Sequence, residues 1–395
     1  MGREPLSPST ARRFDLVVIG GGVVGLCLAY EAAKSGRSVV LLEQDAEFGA
    51  RTSANWFRIL HGGLRYLQSL DLIRHRESVQ ARQEWLRDFP DLVEPLPCLM
   101  PLMGRGLKRP ALFRAAFALD ALLAHRRNQD IRPDRHLPAG RVLSVEETRA
   151  LAPQLADPRL EGGAYWTDAV AKDARKLVAA LAARARAAGA DLLSGRAVGE
   201  ILVDGARATG VRLADGTTIL GSWIVNTTGP WTDGMLAGLT TIRRRDLFRP
   251  SLAFNIVIDR PAPFAGALAV QASRPNAPVL FVYPLNGATF AGTWHAPWHE
   301  KPADIVPPEQ ALKAFVADLA DALPWLGIGM NHVQTVHAGL LPVDAHGSIS
   351  LTDRPLLIDH RTEAGPTGLI SAAAIKFTTA PLLARQVLAK LAVPQ

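Results

Sequence analysis

The amino-acid sequence predicts an α/β protein built on a Rossmann-type domain, into which a second, α+β domain is inserted. Three observations lead to this fold class. A strand, a helix and a second strand follow one another near the N-terminus, and a glycine motif lies at the first turn between them. Two later stretches are richer in Pro, Trp and Phe and alternate less regularly, as expected of an inserted domain.

The N-terminal elements are predicted from their apolar runs. Phe14 to Gly20 reads FDLVVIG and Ser38 to Glu43 reads SVVLLE, and both predict buried parallel strands. Val23 to Ser35, between them, is predicted to be a helix. Together the three segments form a βαβ unit.

Gly20, Gly22 and Gly25 form a G-x-G-x-x-G motif directly after the first predicted strand, and Glu43 ends the second. The first glycine permits a tight turn, the second lets the backbone approach a pyrophosphate, and the third lets the helix pack on the strand. The helix N-terminus then faces the negative charge, and Glu43 accepts hydrogen bonds from an adenosine ribose. The motif predicts a dinucleotide but does not choose between NAD and FAD.

The middle of the chain returns to the same sheet. A helix predicted from Asp173 to Ala188 is followed by a strand near Thr209 to Leu213 and another at Trp223 to Thr227. Asp-Gly pairs mark the turns between them. This succession predicts a β-meander that feeds back into the parallel sheet.

The predicted domain division follows from these segments. Residues 14–75, 165–235 and 340–395 are assigned to the nucleotide-binding domain, and residues 76–164 and 236–339 to the substrate or cap domain.

Composition narrows the function classes. The net charge is +7, but the basic residues are scattered and lack a dense patch with interleaved aromatics, so nucleic-acid binding is not expected. The two cysteines, Cys27 and Cys98, support neither a disulfide framework nor a metal site. Residues 1–13 are polar, are predicted to be a frayed tail and lack the apolar stretch of a secretory signal, and no run is long enough to cross a bilayer. We therefore expect a cytoplasmic protein, with any membrane contact peripheral at the inner face.

Four later segments carry a resemblance to a known family. They read HGGLRYL from His61, NTTGPW from Asn226, KFTT from Lys376, and DAVAKDAR from Asp168 to Arg175. In these segments the chain resembles the flavin-dependent (aerobic) glycerol-3-phosphate dehydrogenases, within the D-amino-acid-oxidase-like (DAO) flavoprotein group. The likeness runs from about residue 14 to about residue 393 and is thin across the cap.

The resemblance implies FAD as the cofactor of the Rossmann-type domain, and it implies roles for single residues. Arg65 and Tyr66 help to bind substrate, and Lys376 lies near the substrate oxygen and the flavin. His61 has four alternative roles: catalytic base, hydrogen-bond partner of the flavin, covalent attachment point, or packing near the flavin ring without chemistry. The full set of residues expected at the cofactor is Gly20, Gly22, Gly25, Glu43, Thr52, Ser53, Arg58, His61, Gly62, Gly63, Gly229, Lys376, Phe377 and Thr378.

The substrate end departs from the family pattern. The family's V-R-P-L, whose arginine engages the substrate phosphate, is replaced by a segment with Leu341 at the arginine position. Arg354 is the nearest candidate for the missing charge. Where the family has G-T-T-D, this chain has Trp294 and His295 at the last two positions. Asn255 replaces a histidine of the cap strand, and we expect Asn255 to contribute to substrate binding. The pattern predicts a rebuilt substrate end and an intact flavin end.

The resulting functional hypothesis is an FAD-dependent dehydrogenase or oxidase that converts a secondary alcohol of the glycerol-3-phosphate type to the ketone by hydride transfer. The alternative is a related enzyme that oxidises a 2-hydroxy acid or an amine or amino acid. The final electron acceptor is expected to be a quinone or O2. Ala111 to Leu123, flanked by Lys108, Arg109, Arg126 and Arg127, is predicted to be either a cap helix over the pocket or a membrane-surface helix.

Overall fold

The computed structural model describes residues 12–391 except Arg105, Leu107, Ala156, Ala303 and Asp304, so the predicted frayed tail lies largely outside the described residues. The described residues form eight α-helices and two β-sheets. The helices are α1 (Val23–Lys34), α2 (Leu72–Asp88), α3 (Pro110–Leu123), α4 (Val145–Leu151), α5 (Ala174–Ala187), α6 (Thr232–Leu236), α7 (Glu309–Ala322) and α8 (Ala380–Leu391). The strands are β1 (Arg13–Ile19), β2 (Val39–Leu42), β3 (Ile59–Leu60), β4 (Val93–Leu102), β5 (Arg141–Leu143), β6 (Gly162–Ala171), β7 (Asp191–Leu193), β8 (Val198–Asp204), β9 (Arg207–Leu213), β10 (Thr218–Asn226), β11 (Pro250–Ile258), β12 (Ala267–Val270), β13 (Leu280–Leu285), β14 (Ala288–Pro297), β15 (Val333–Pro342), β16 (Leu356–Asp359) and β17 (Leu369–Ala373).

The first sheet has the order β16-β17-β10-β1-β2-β7, and β8 and β9 join it as a meander beside β10. Strands β17, β10, β1, β2 and β7 run parallel, as the apolar runs predict. Alternate residues of β1 enter different cores. Leu16 and Val18 pack with α1, α5 and α8, whereas Val17 and Ile19 pack with the meander. Both faces of the central strands are thus covered, which is why these strands are apolar throughout.

The second sheet has the order β15-β11-β14-β13-β12-β4-β6-β3, with β5 beside β6. All its pairs are antiparallel except β12 with β4. Helix α7 covers one face, where Phe315 packs edge-on against Phe254 of β11. The predicted α/β fold class is confirmed, and the residue limits of the two domains stay a prediction.

Helix α3 forms where the sequence predicts it. Its Phe113 and Phe117 are buried, and it packs against β5 and β6. Two of its flanking basic residues bond to other side chains: Arg127 pairs with buried Asp120 at 2.7 Å, and the amine of Lys108 bonds to Gln271. The buried face of α3 thus packs on the second sheet, and no α3 residue lines the cavity described below.

Candidate active site

A cavity of about 500 Å³ lies where the carboxyl ends of β1, β10 and β17 approach the second sheet. The carboxyl ends of parallel strands are where open α/β sheets bind their ligands. One wall comes from the first sheet and its turns, and the other comes from β11, β14 and β15. Predicted site residues in the wall are Gly20, Gly22, Glu43, Thr52, Ser53, His61, Gly229, Asn255, Lys376, Phe377 and Thr378.

The glycine motif forms the turn between β1 and α1. Gly20 has a φ of +101°, which a side chain would strain, and a Cβ on Gly25 would lie only 2.0 Å from the carbonyl oxygen of Gly20. A Cβ on Gly22 would meet only the Oγ of Ser53, at 3.3 Å. Gly20 and Gly25 are therefore required by the fold, whereas Gly22 keeps space open at the start of α1.

Glu43 directly follows β2 and lies beside this turn. Its Oε2 accepts a hydrogen bond from the backbone N–H of Gly21 at 2.7 Å, and its Oε1 accepts one from Asp45 at 2.9 Å. Burial raises the pKa of Glu43, and the two backbone donors oppose that rise. The carboxylate is held in place with acceptor capacity left, as a ribose hydroxyl requires.

Aromatic stacking builds another part of the cavity wall. The rings of Trp56 and Phe377 stack with centroids 4.1 Å apart and an angle of 4° between their planes. Trp85 of α2 packs on Phe377 and donates a hydrogen bond to the carbonyl of Thr378 at 2.9 Å. These contacts hold the segment before α8 and so position Lys376.

Lys376 belongs to a cationic cluster around one tyrosine. Its Nζ donates a hydrogen bond to the hydroxyl of Tyr66. The guanidinium carbons of Arg65 and Arg74 lie 5.1 and 4.8 Å from the centre of the Tyr66 ring. Burial and the charge of Arg65 lower the pKa of Lys376. Burial raises the pKa of Tyr66, but Lys376 and Arg65 outweigh burial and lower it.

His61 lies in the cavity wall next to a buried acid. Its Nδ1 is 3.5 Å from the Oδ2 of Asp168, whose side chain is 6% exposed. Asp168 also pairs with the buried guanidinium of Arg82 at 2.6 Å. This arrangement places the carboxylate of Asp168 beside the Nδ1 of His61.

The second sheet contributes a mixed polar and apolar wall. The side-chain oxygen of Asn255 accepts a hydrogen bond from the Thr293 hydroxyl at 2.8 Å. Leu341 of β15 lines the same cavity. On β14, burial and then the charge of Arg65 lower the pKa of His295 to about 4.

Several predicted site residues lie outside the cavity wall. Gly62 and Gly63 pack against α2: a Cβ on Gly62 would lie 2.2 Å from Arg82, and one on Gly63 would lie 2.8 Å from Ser78. Arg58 donates a hydrogen bond to the carbonyl of Lys172. Gly25 packs inside its own turn. Tyr66 contacts the cavity-lining Lys376 by a hydrogen bond, and Arg65 in turn contacts the Tyr66 hydroxyl. Arg354 is exposed. Hydrogen bonds from Arg74 lower the pKa of the nearby Asp71, and the charge of Arg354 lowers it further. The structure does not bring Arg354 to the cavity.

Sequence reasoning missed three contributors to the site. Trp56, which stacks on Phe377, lies between two recognised motifs and carries no motif of its own. Arg82 is one of many helical arginines in the sequence. Asp168 lies in a segment that resembles the family, so its position was signalled, but its contact with His61 was not.

The sequence profile of the family described as FAD dependent oxidoreductase (DAO) matches residues 15–391. The chain belongs to this family. FAD is therefore its cofactor, as the sequence predicts, and its chemistry is that of an oxidoreductase.

The geometry fits FAD. The N-cap of α1 is Gly22, which has no side chain and leaves space at the start of the helix, where a pyrophosphate needs backbone N–H groups. The first helical N–H, that of Val23, donates to the Oγ of Ser53 at 3.0 Å. The Glu43 carboxylate lines the cavity, where it can accept a hydrogen bond from a ribose hydroxyl. The Oγ1 of Thr52 is buried at the cavity wall without a hydrogen-bond partner. Across the described chain, no group of three or more His, Cys, Asp or Glu side chains is placed to hold a metal ion. The described helices include none with the length and apolarity to cross a membrane.

Two relatives of this chain are named for reactions of glycerol phosphates. The chain is 32% identical over 381 residues to a glycerol-3-phosphate dehydrogenase of Mycobacterium leprae; the match covers 94% of this chain and 62% of the relative. It is 26% identical over 352 residues to an alpha-glycerophosphate oxidase of Enterococcus casseliflavus, which covers 86% of this chain and 56% of the relative. The chain thus spans less than two thirds of each of these relatives.

Solved structures show the same fold. The glycerol-3-phosphate dehydrogenase from Bacillus halodurans, complexed with FAD, superposes with a TM-score of 0.72 at 21% identity, covering 96% of this chain and 64% of that one. Glycine oxidase from Geobacillus kaustophilus superposes with a TM-score of 0.68 at 19% identity, covering 96% and 95%. At these identities the likeness concerns the fold alone.

Proposed function

We propose that this FAD-dependent oxidoreductase oxidises the secondary alcohol of a small anionic molecule, of the glycerol-3-phosphate type, to a ketone. The names of the relatives from Mycobacterium leprae and Enterococcus casseliflavus support this substrate class. Because the chain covers only part of those relatives, the proposal rests mainly on the site itself.

The observation that carries the proposal is a pair of cations, Lys376 and Arg65, whose side chains both bond to the Tyr66 hydroxyl. Within the described residues, the side-chain bonds of Lys376 and Arg65 go to the Tyr66 hydroxyl and not to a carboxylate. Two positive charges without an acidic partner beside a cavity favour an anionic ligand. Arg65 offers a forked donor to an oxyanion, and Lys376 offers a compact charge.

The side chains divide the chemistry between them. His61 accepts the proton of the substrate hydroxyl, and Lys376 stabilises the negative charge that develops on that oxygen. Arg65 binds the anionic end and orients the molecule. When bound, FAD supplies the acceptor for the hydride that leaves the carbinol carbon.

Leu341 favours a second candidate, the oxidation of a 2-hydroxy acid or an amino acid. It lines the cavity at the position where the family pattern has a phosphate-binding arginine. A carboxylate carries less charge than a phosphate dianion, so a single arginine matches it better. In this alternative Arg65 binds the carboxylate.

The surface beside the site suggests how electrons leave. Leu70, Leu72 and Ile73 are exposed just before and at the start of α2, and Leu112 and Leu122 are exposed on α3. Helix α3 contacts the turn of residues Leu64–Ser69 that precedes α2. Exposed Arg109 and Arg126 flank α3. Apolar side chains with basic neighbours suit an anionic membrane surface, where a quinone is available as acceptor. O2 is the alternative acceptor.

The test is anaerobic reduction of the bound flavin by a panel of substrates. Glycerol-3-phosphate, glycerol, short 2-hydroxy acids and amino acids are mixed singly with the holoenzyme, and loss of the flavin absorbance is followed. We expect bleaching by glycerol-3-phosphate and not by glycerol. Bleaching by a 2-hydroxy acid or amino acid alone would select the second candidate. An Arg65→Ala enzyme that bleaches as fast as the wild type would contradict the proposed anion site.

A further inference from the structure

Asp168 is a buried carboxylate whose two oxygens serve different groups. Its Oδ1 accepts hydrogen bonds from the backbone N–H of Gly62 at 2.7 Å and from Arg82 at 2.6 Å. Its Oδ2 accepts one from the indole N–H of Trp166 at 3.0 Å and lies 3.5 Å from the Nδ1 of His61. Each of these four groups is a hydrogen-bond donor or, in the case of His61, can become one.

The charge state of Asp168 follows from these neighbours. Burial opposes ionisation, but the hydrogen bond with His61 and the charge of Arg82 outweigh burial and hold the pKa of Asp168 well below its usual range. An ionised carboxylate only accepts hydrogen bonds. The ring nitrogen of His61 that faces Asp168 must then carry the proton.

The other ring nitrogen lies on the opposite edge of the imidazole. His61 is part of the cavity wall and its side chain is 45% exposed, so Nε2 is the nitrogen that remains for a ligand. A distance of 3.5 Å is long for a hydrogen bond, but catalytic hydrogen bonds commonly shorten when substrate binds. The geometry thus separates a protein-facing edge of the ring from a ligand-facing edge.

We propose that Asp168 is a positioning residue, which holds His61 in the tautomer with its proton on Nδ1 and its Nε2 lone pair towards the substrate. The inference rests on the proposed function. In the reaction, the substrate O–H bond breaks, its electron pair stays on oxygen, and Nε2 gains the proton. Asp168 then stabilises the imidazolium by its charge, without accepting the proton itself.

A simpler role would be structural, with Asp168 present only to neutralise Arg82. The substitution Asp168→Asn separates the two roles. The amide oxygen is expected at the Oδ1 position, because Gly62 and Arg82 both donate there. Its NH₂ group then faces His61 and donates to Nδ1, which moves the ring proton to Nε2 and removes the base.

The primary readout is the tautomer of His61, measured by ¹⁵N NMR on the holoenzyme without substrate. We expect the proton on Nδ1 in the wild type and on Nε2 in Asp168→Asn. A wild-type enzyme with the proton on Nε2 would overturn the proposal, even if the variant does not fold. Because no substrate is present, this result is independent of the proposed function, which fails separately if no alcohol bleaches the flavin.

Kinetics give the second readout, at a temperature well below unfolding. Asp168→Asn should lower kcat by about 10²–10⁴-fold with a smaller change in KM, as expected when a base loses its tautomer. Trp166→Phe is the matched control, because it removes the other donor to Oδ2 and keeps the carboxylate. It should retain the tautomer and most of kcat. Equal losses of kcat in both variants would show a structural role and contradict the proposal.

Discussion

The side-chain amine of Lys376 donates a hydrogen bond to the hydroxyl of Tyr66, across 310 positions of the chain. Burial and the charge of Arg65 lower the pKa of Lys376, whereas its contact with Tyr66 raises it. Tyr66 therefore opposes the lowering of the Lys376 pKa that burial and Arg65 cause. The protonation of this pair should be visible in the pH dependence of the reaction.

The first prediction concerns the alkaline side of that profile. Lys376 must be protonated to stabilise a developing alkoxide, so kcat/KM falls as the pH rises through its folded pKa. Because that pKa is lowered, the fall begins below the range of an ordinary lysine, at about 10.4. Lys376→Arg should move the fall to higher pH, and Tyr66→Phe should move it to lower pH. Lys390→Arg on α8 is the control, and a fall that stays in place in all three variants would refute the assignment.

The second prediction separates two glycines of one motif. Gly22→Ala should fold with near wild-type stability, because its Cβ meets only Ser53 at 3.3 Å, yet it should bind FAD more weakly. Gly25→Ala should destabilise the apoprotein, because its Cβ would lie 2.0 Å from the carbonyl oxygen of Gly20. Thermal unfolding of the apoproteins and FAD titration check the two effects. Equal unfolding temperatures for the two variants would contradict this division of roles.

The third prediction concerns the rebuilt substrate end. Leu341→Arg places a cation in the cavity wall and should raise kcat/KM for glycerol-3-phosphate, by up to about 100-fold if the new ion pair is well placed. Ile349→Arg, at an exposed position, is the control for added charge and should have no effect. If the whole pocket suits a different molecule, the unpaired arginine lowers stability without any gain. That result would favour the second candidate function, the oxidation of a 2-hydroxy acid or an amino acid.

The fourth prediction concerns the apolar surface of α2 and α3. The protein should bind vesicles that contain anionic lipid at low salt and leave them at high salt, because each basic residue near the surface contributes only about 1 kcal/mol. Leu122→Glu and Arg109→Glu should weaken binding. Arg243→Glu, an exposed charge elsewhere, should not. Binding that resists high salt, or indifference to anionic lipid, would each count against this surface.

Features that depend on residues near one another in the sequence were predictable, and features that depend on contacts between distant segments were not. The βαβ unit was predictable because each of its determinants is local: apolar strands, helical spacing, and glycines at a turn. Predicted and observed bounds differ by one residue at each end of β1 and β2, and α1 ends at Lys34 instead of Ser35. FAD followed from the resemblance, since the glycine motif alone leaves NAD open.

The arrangement of the site depended on contacts between distant segments. Arg354 was assigned to substrate because it is near Leu341 in sequence, but the chain turns it to the surface. His61 and Asp168 meet because β3 pairs with β6 in the second sheet, and Tyr66 meets Lys376 because Trp85 of α2 fixes the segment before α8. The sequence by itself determined the nucleotide-binding unit and the residue types of the site. Only the tertiary structure decided which of those residues meet and what charge they carry, because partners and burial are set by packing between segments far apart in the chain.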